Sequence, residues 1–195
     1  MSDVLSLLAA KAKLCDDQHD FRAYLRYIRQ HGIDGATLSG FAGACVVRNV
    51  VDCGNQRFEF ANGESEQFPA FLCEAFGDDG ETFTDLAAWP LDRPRHVMTM
   101  FGRCGLLGAC EAMNPATYFL GNLLDMHRTP LGWLKAGCRG AVVVTPHIAA
   151  RIFLDLPGKV AAQDEEHGRE LEEMRHSILP KDQILVPAKR GGLAA

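Results

Sequence analysis

Three observations place this chain in the α+β class. Helical periodicity marks its N-terminal region, short β-rich runs bounded by Gly, Asn and Asp clusters fill its middle, and strand and helix signals alternate after residue 120. The expected architecture is an N-terminal helical pair packed on a mainly antiparallel sheet, a small β-α-β-like portion after residue 120, and a peripheral C-terminal helix.

Residues 2–31 read as two helices interrupted by Asp16-Asp17, the second ending at Gly32, which takes up the left-handed conformation of a helix C-terminus at little cost. In that second helix Phe21, Leu25 and Ile28 share one face, while His19, Arg22, Arg26 and Arg29 group on another. It should therefore pack on one side and be basic on the other. The β-rich runs follow at 44–52, 57–61, 68–76 and 82–89. In the clearest hairpin Gly77-Asp78-Asp79-Gly80 supplies the turn, because Gly and Asp tolerate positive φ. Its acids are too few for a calcium loop, which needs oxygen ligands at several alternating positions and a distant Glu.

Between 89 and 121 Pro and Gly punctuate short apolar pieces, and we expect a loop, a helix over 93–101 capped by Asp92, and irregular chain. Thr129-Pro130 and Thr145-Pro146 then mark two helix starts, in which Thr caps and Pro takes the first helical position. With a buried strand at 141–144 between them, the order over 123–153 is β, α, β, α, which favours parallel strands beside packed helices. A helix over 164–179 carries His167, Leu171, Met174 and Ile178 as a narrow seam on a charged cylinder. Residues 184–186 read as an edge strand and 188–195 as a flexible tail. No repeat or linker divides the chain, so 1–187 is expected to form a single domain.

Composition narrows the function classes. With 195 residues, 47% of them hydrophobic and 23% charged, the chain can bury a core without metal or disulfide staples, which excludes disorder, collagen and small disulfide scaffolds. The net charge of −5 makes non-specific binding to nucleic acid or acidic membranes unexpected. No stretch approaches the ~18 apolar residues of a membrane helix. Asp3 precedes the apolar run 4–10 and Lys11 and Lys13 follow it, the reverse of a secretory signal, and seven cysteines without a CxxC pair read as free thiols. A cytoplasmic location follows as the expectation.

Two places carry candidate chemistry. In Gly102-Arg103-Cys104-Gly105-Leu106-Leu107-Gly108 the glycine spacing fits neither a dinucleotide fingerprint nor a P-loop, so a phosphate cradle is disfavoured. Arg103 would favour a thiolate at Cys104, with His96 or His127 as base, which gives a thiol-dependent hydrolase or acyltransferase; the plainer reading makes Cys104 a small buried hydrophobe. The second place is His127-Arg128-Thr129-Pro130, where free N–H groups at a helix start and two basic side chains suit a phosphate or carboxylate. Arg93 and Arg95, in Asp92-Arg93-Pro94-Arg95-His96, would line the same cleft if the chain folds them nearby; the plainer reading leaves all these basic groups solvated.

No metal site is expected, since Cys104, Cys110, His127 and Cys138 match no zinc spacing and Glu173-x-x-His176 lacks a partner motif. No cofactor is expected either. The sequence reading is thus an accessory protein that binds an anionic small molecule or a protein partner without catalysis. Its alternatives are the Cys104 enzyme and a nucleic-acid-associated protein using Arg22, Arg26 and Arg29.

Overall fold

The computed structural model describes residues 2–178 apart from positions 15, 17, 40, 42, 64 and 65, so the expected edge strand at 184–186 and the tail at 188–195 lie outside the described residues. The α+β class and the order of helical pair, sheet, β-α-β portion and C-terminal helix are all present.

Helices α1 (Ser2–Leu14) and α2 (Phe21–Gln30) form the N-terminal pair, followed by a short α3 (Gly35–Ser39) that periodicity does not announce. Asp20 caps α2 by accepting the Ala23 N–H at 2.9 Å. Strands β1 (Cys45–Gly54), β2 (Arg57–Phe60), β3 (Phe68–Phe76) and β4 (Phe83–Pro90) occupy the β-rich region. The β3–β4 turn is tied by Asp79, whose Oδ1 accepts the N–H groups of Glu81 at 2.9 Å and Thr82 at 2.8 Å.

The helix expected over 93–101 is not formed. Two successive turns, Arg93 N to Pro90 O and His96 N to Arg93 O, lead instead into β5 (Met98–Thr99). Met98 points into one core and Val97 into another, a period of two rather than 3.6. Tertiary pairing decides the matter: β5 joins β2 to β4 and closes a five-stranded barrel in the order β1-β2-β5-β4-β3.

Residues from all five strands, among them Val50, Phe58, Leu72, Leu86 and Met98, fill the barrel, and Ala10 and Leu14 of α1 join the same core. The alternate residues of β1, β3 and β4, namely Val47, Phe71, Cys73, Ala87 and Trp89, face outward into a second core with Tyr27 and Ile28 of α2. Arg48 pins the interhelical segment to the barrel: its guanidinium donates to Asp16 at 2.7 Å, to Gln18 at 2.8 Å and to the Lys13 carbonyl, and lies over the Phe60 ring.

The second half is a four-stranded sheet in the order β6 (Leu106–Leu107), β8 (Ala141–Val143), β7 (Leu124–His127), β9 (Val160–Ala161). Strands β7 and β8 are parallel and joined by α5 (Pro130–Lys135); α6 (Pro146–Asp155) leads from β8 to β9, and α4 (Ala109–Met113) follows β6. One face of the sheet gives Leu107 and Val142 to the core shared with the barrel, while the other gives Leu106, Met126 and Ala141 to a third core beneath α6 and α7 (Glu165–Ser177).

The two halves are joined at Asp85. This β4 side chain is fully buried, and its two oxygens accept four backbone N–H groups: Leu86 at 2.8 Å and Phe101 at 2.8 Å on Oδ1, Arg103 at 2.6 Å and Cys104 at 3.1 Å on Oδ2. The glycine-rich loop therefore does cradle an anion, and the anion is the protein's own. An amide has one acceptor oxygen where a carboxylate has two, so Asp85→Asn sets an NH₂ group against two fixed N–H donors. Asp85→Asn should lower the stability to urea by ~2–4 kcal/mol, read from the unfolding midpoint.

Candidate functional site

Parallel strands β7 and β8 end side by side, and the crevice beyond the carboxyl ends of parallel strands is where open α/β sheets hold ligands. Here that crevice is a cavity of about 280 Å³ roofed by α7. Val143, Leu171 and Met174 give it apolar walls, and Arg95, Arg128, His167 and Glu170 give it polar ones. The fold thus brings Arg95, His127 and Arg128 of the expected set to one concave surface, with Arg95 arriving from the loop after β4.

Arg128 is committed to the protein's own acids. Its Nη2 donates to Asp164 at 2.6 Å and Glu166 at 3.2 Å, and its Nη1 to both oxygens of Glu170 at 3.2 Å, while its Nε is buried without a partner. Three carboxylates on one guanidinium fasten the first two turns of α7 to the end of β7. The Arg128 hydrogen bond, followed by the His167 N–H, holds the Asp164 carboxyl below its ordinary 3.8. These acids are screened by water, since each exposes more than half of its side chain. The terminal nitrogens expected to meet an external anion are thereby occupied.

His127 and Thr129 also have internal partners. The His127 Nε2 lies 2.9 Å from the Arg139 carbonyl, and the Thr129 hydroxyl caps α5 by accepting the Gly132 N–H at 3.0 Å. By contrast Arg95 is exposed and has no ion pair or hydrogen bond among the described residues. Arg93 stands outside the cavity, 3.7 Å from Asp92 and over the Phe68 ring.

The residue whose role sequence reasoning missed is His167. It is 4% exposed, and its Nδ1 accepts the Gln163 N–H at 3.2 Å. A backbone N–H can only donate, so Nδ1 carries no proton and Nε2 carries it. Burial first, then the charge of Arg128, push the imidazole pKa below its ordinary 6.5 and hold the ring neutral. The Nε2–H has no partner among the described residues, and the ring lines the cavity. The available signal was Asp164-x-x-His167: Asp164 caps α7 by accepting the His167 N–H at 2.9 Å, and the His167 side chain reaches back to Gln163, a variant of the capping box.

The alternative nucleophile is placed differently. Cys104 is 3% exposed, its Sγ donates to the Leu106 carbonyl at 3.4 Å, and burial followed by the Asp85 charge push its thiol well above the ordinary 9.0. His96 lies instead 2.9 Å from Asp52, and no hydrogen bond joins it to Cys104. Arg22, Arg26 and Arg29 lie exposed along α2. Among the described residues no group of three or more His, Cys, Asp and Glu side chains is arranged to hold a metal ion.

A second cavity, about 340 Å³ between barrel and sheet, is walled by Phe41, Phe76, Leu107 and Trp133. Its acids are in use: Glu74 meets Lys11 at 3.1 Å and accepts the Ala44 N–H at 2.8 Å, and Glu111 accepts the Gly140 N–H at 2.7 Å. The cavity under α7 has the stronger claim because it gathers Arg95, Arg128 and His167 at the carboxyl ends of two parallel strands. Comparison with family models, curated proteins and solved structures finds no match for this chain.

Two outcomes follow. Arg128→Met removes the cation that gathers Asp164, Glu166 and Glu170, and amide hydrogen exchange across 165–177 should accelerate while that of β3 and β4 stays unchanged. A histidine whose folded pKa is depressed contributes stability that is complete above its unfolded value of 6.5 and is lost as pH falls below it toward the folded value. The urea midpoint should therefore decline as pH is lowered from about 7, and His167→Gln should flatten part of that decline. His31, shifted downward by its own burial, keeps the remainder.

Proposed function

We propose that this chain is a binding protein that performs no chemistry, and that its ligand is a small organic acid held in the cavity under α7. The observation that carries the reading is His167, a residue 4% exposed that lines the cavity and whose Nε2–H has no acceptor among the described residues. The Nε2–H is open to the cavity rather than sealed from it, so a ligand oxygen can accept from it.

Each wall has a part in this reading. Val143, Leu171 and Met174 take the apolar body of the ligand, the His167 Nε2–H donates to one carboxylate oxygen, and the unpaired Arg95 guanidinium closes over the other from the rim. Arg128 is the buttress: by gathering the acids of α7 it keeps the roof of the cavity in place. The local charge is negative by one, with Arg95 and Arg128 against Asp164, Glu166 and Glu170, which disfavours a polyphosphate more than a monocarboxylate.

A panel of short-chain and aromatic monocarboxylates, assayed by thermal shift and then by calorimetry, tests this. At least one acid should raise the midpoint, and Arg95→Ala, at an exposed position, should weaken its binding by about tenfold without changing the stability of the free protein. Stabilisation by none of the acids, or an acid bound equally well by Arg95→Ala, would remove the reading.

A further inference from the structure

Cys45 opens β1 and Cys73 lies within β3, and the sequence gives no sign that they meet. In the barrel they are direct cross-strand partners. The kind of pair can be worked out from the ladder. The Glu74 N–H donates to the Ala44 carbonyl at 3.2 Å, so 44 and 74 form a hydrogen-bonded pair, and such pairs alternate along antiparallel strands with pairs that exchange no bond. Cys45 and Cys73 fall on the non-bonded set. Pro69, which has no N–H to give, falls on the same set opposite Asn49, as this register requires. In a non-bonded pair the Cα atoms stand about 4.5 Å apart and the side chains lie close on one face, within the ~4.4–6.8 Å Cα separation that a disulfide spans.

Four thiols, Cys45, Cys73, Cys104 and Cys138, are packed in or against the core outside the barrel, and all four are free. Cys45 and Cys73 alone among them are register partners; Cys104 donates to Leu106, and Cys138 follows α5 with a φ of 58°. We propose that Cys45 and Cys73 form an oxidisable dithiol that closes to a cross-strand disulfide when a peroxide reaches the barrel seam. Cys45, at the start of its strand and less buried than Cys73, meets the peroxide first; burial pushes its thiol well above the ordinary 9.0, so this step is slow, and the fully buried Cys73 resolves it.

The steps balance. The Cys45 sulfur, having given up its proton, attacks one peroxide oxygen; the O–O bond breaks, hydroxide leaves and is protonated to water, and Cys45 becomes a sulfenic acid. The Cys73 sulfur then attacks the Cys45 sulfur, the S–S bond forms, the S–O bond breaks, and the departing hydroxide takes up the Cys73 proton as a second water. Two thiols are oxidised and one peroxide is reduced.

The test uses the full chain, treated with hydrogen peroxide at low protein concentration, quenched with excess maleimide in denaturant and digested without reduction. The expected product is a pair of peptides joined through Cys45 and Cys73, lighter than the free peptides by two hydrogens and separated by dithiothreitol. Cys138→Ala should keep this product and Cys45→Ala should lose it. Recovery of both cysteines as free thiols or sulfonic acids, or linkage of Cys73 to Cys104 or Cys138 in the wild-type chain, would overturn the proposal, and the wild-type map decides the matter even where a variant fails to fold.

Discussion

The arrangement of this molecule depends on one buried carboxylate. Asp85 has no contact with water and takes four backbone N–H groups in its place, three of them from the loop that leaves the barrel. That loop continues to Gly105, whose carbonyl accepts the Val144 N–H at 2.9 Å and the Thr145 N–H at 3.3 Å, at the point where β8 gives way to α6. The approach is tight: a Cβ at Gly105 would stand 2.8 Å from Ile148 and 2.9 Å from Ile152. The carboxylate therefore fixes the loop, the loop fixes the start of α6, and the start of α6 forms one side of the cavity in which His167 lies.

Charge is distributed so that structural and available cations are separate. Arg48 and Arg128 are each drawn into several hydrogen bonds and hold elements together. Arg95 and the three arginines of α2 stand in water. A guanidinium surrounded by three acids cannot also serve a diffusing anion, whereas it can orient the helix that carries His167. Under the proposed function, recognition separates into a buttress, Arg128, and a pair of donors, His167 and Arg95. The neutral imidazole suits that division: its proton position is set by the Gln163 N–H on the other nitrogen, so the donor is directed before any ligand arrives.

What the sequence disclosed follows the range of each interaction. The β3–β4 hairpin and the two Thr-Pro helix starts rest on preferences within a few residues, and each was legible, although Thr129 caps its helix through its side chain and the expected Thr145 cap makes no such bond; the Asp164 cap, equally local, was not read. The stretch 93–101 has the local marks of a helix, but Met98 and Thr99 are claimed by β2 and β4, and closure of the barrel outweighs propensity. Arg128 lies 36 residues from Asp164 and 42 from Glu170, and Asp85 lies 18 from Arg103, so none of these pairings leaves a local trace. Arg95, His127 and Arg128 come to one surface because strand ends and loops at the same edge of a parallel sheet converge there, whereas Arg93, placed with Arg95 in the sequence reading, stands outside it. Their division into bound and unbound donors depended on the acids of α7, which pattern reading places only on a charged helix face.

The account of the site rests on the protonation and orientation of one imidazole. Nitrogen-15 NMR of the His167 ring at neutral pH, with and without a bound monocarboxylate, addresses it directly. A neutral ring protonated at Nε2, whose Nε2 resonance moves when the acid binds while Nδ1 stays hydrogen-bonded, is the predicted result. A proton on Nδ1, a charged imidazolium, or a ring unmoved by an acid that binds the protein would contradict it.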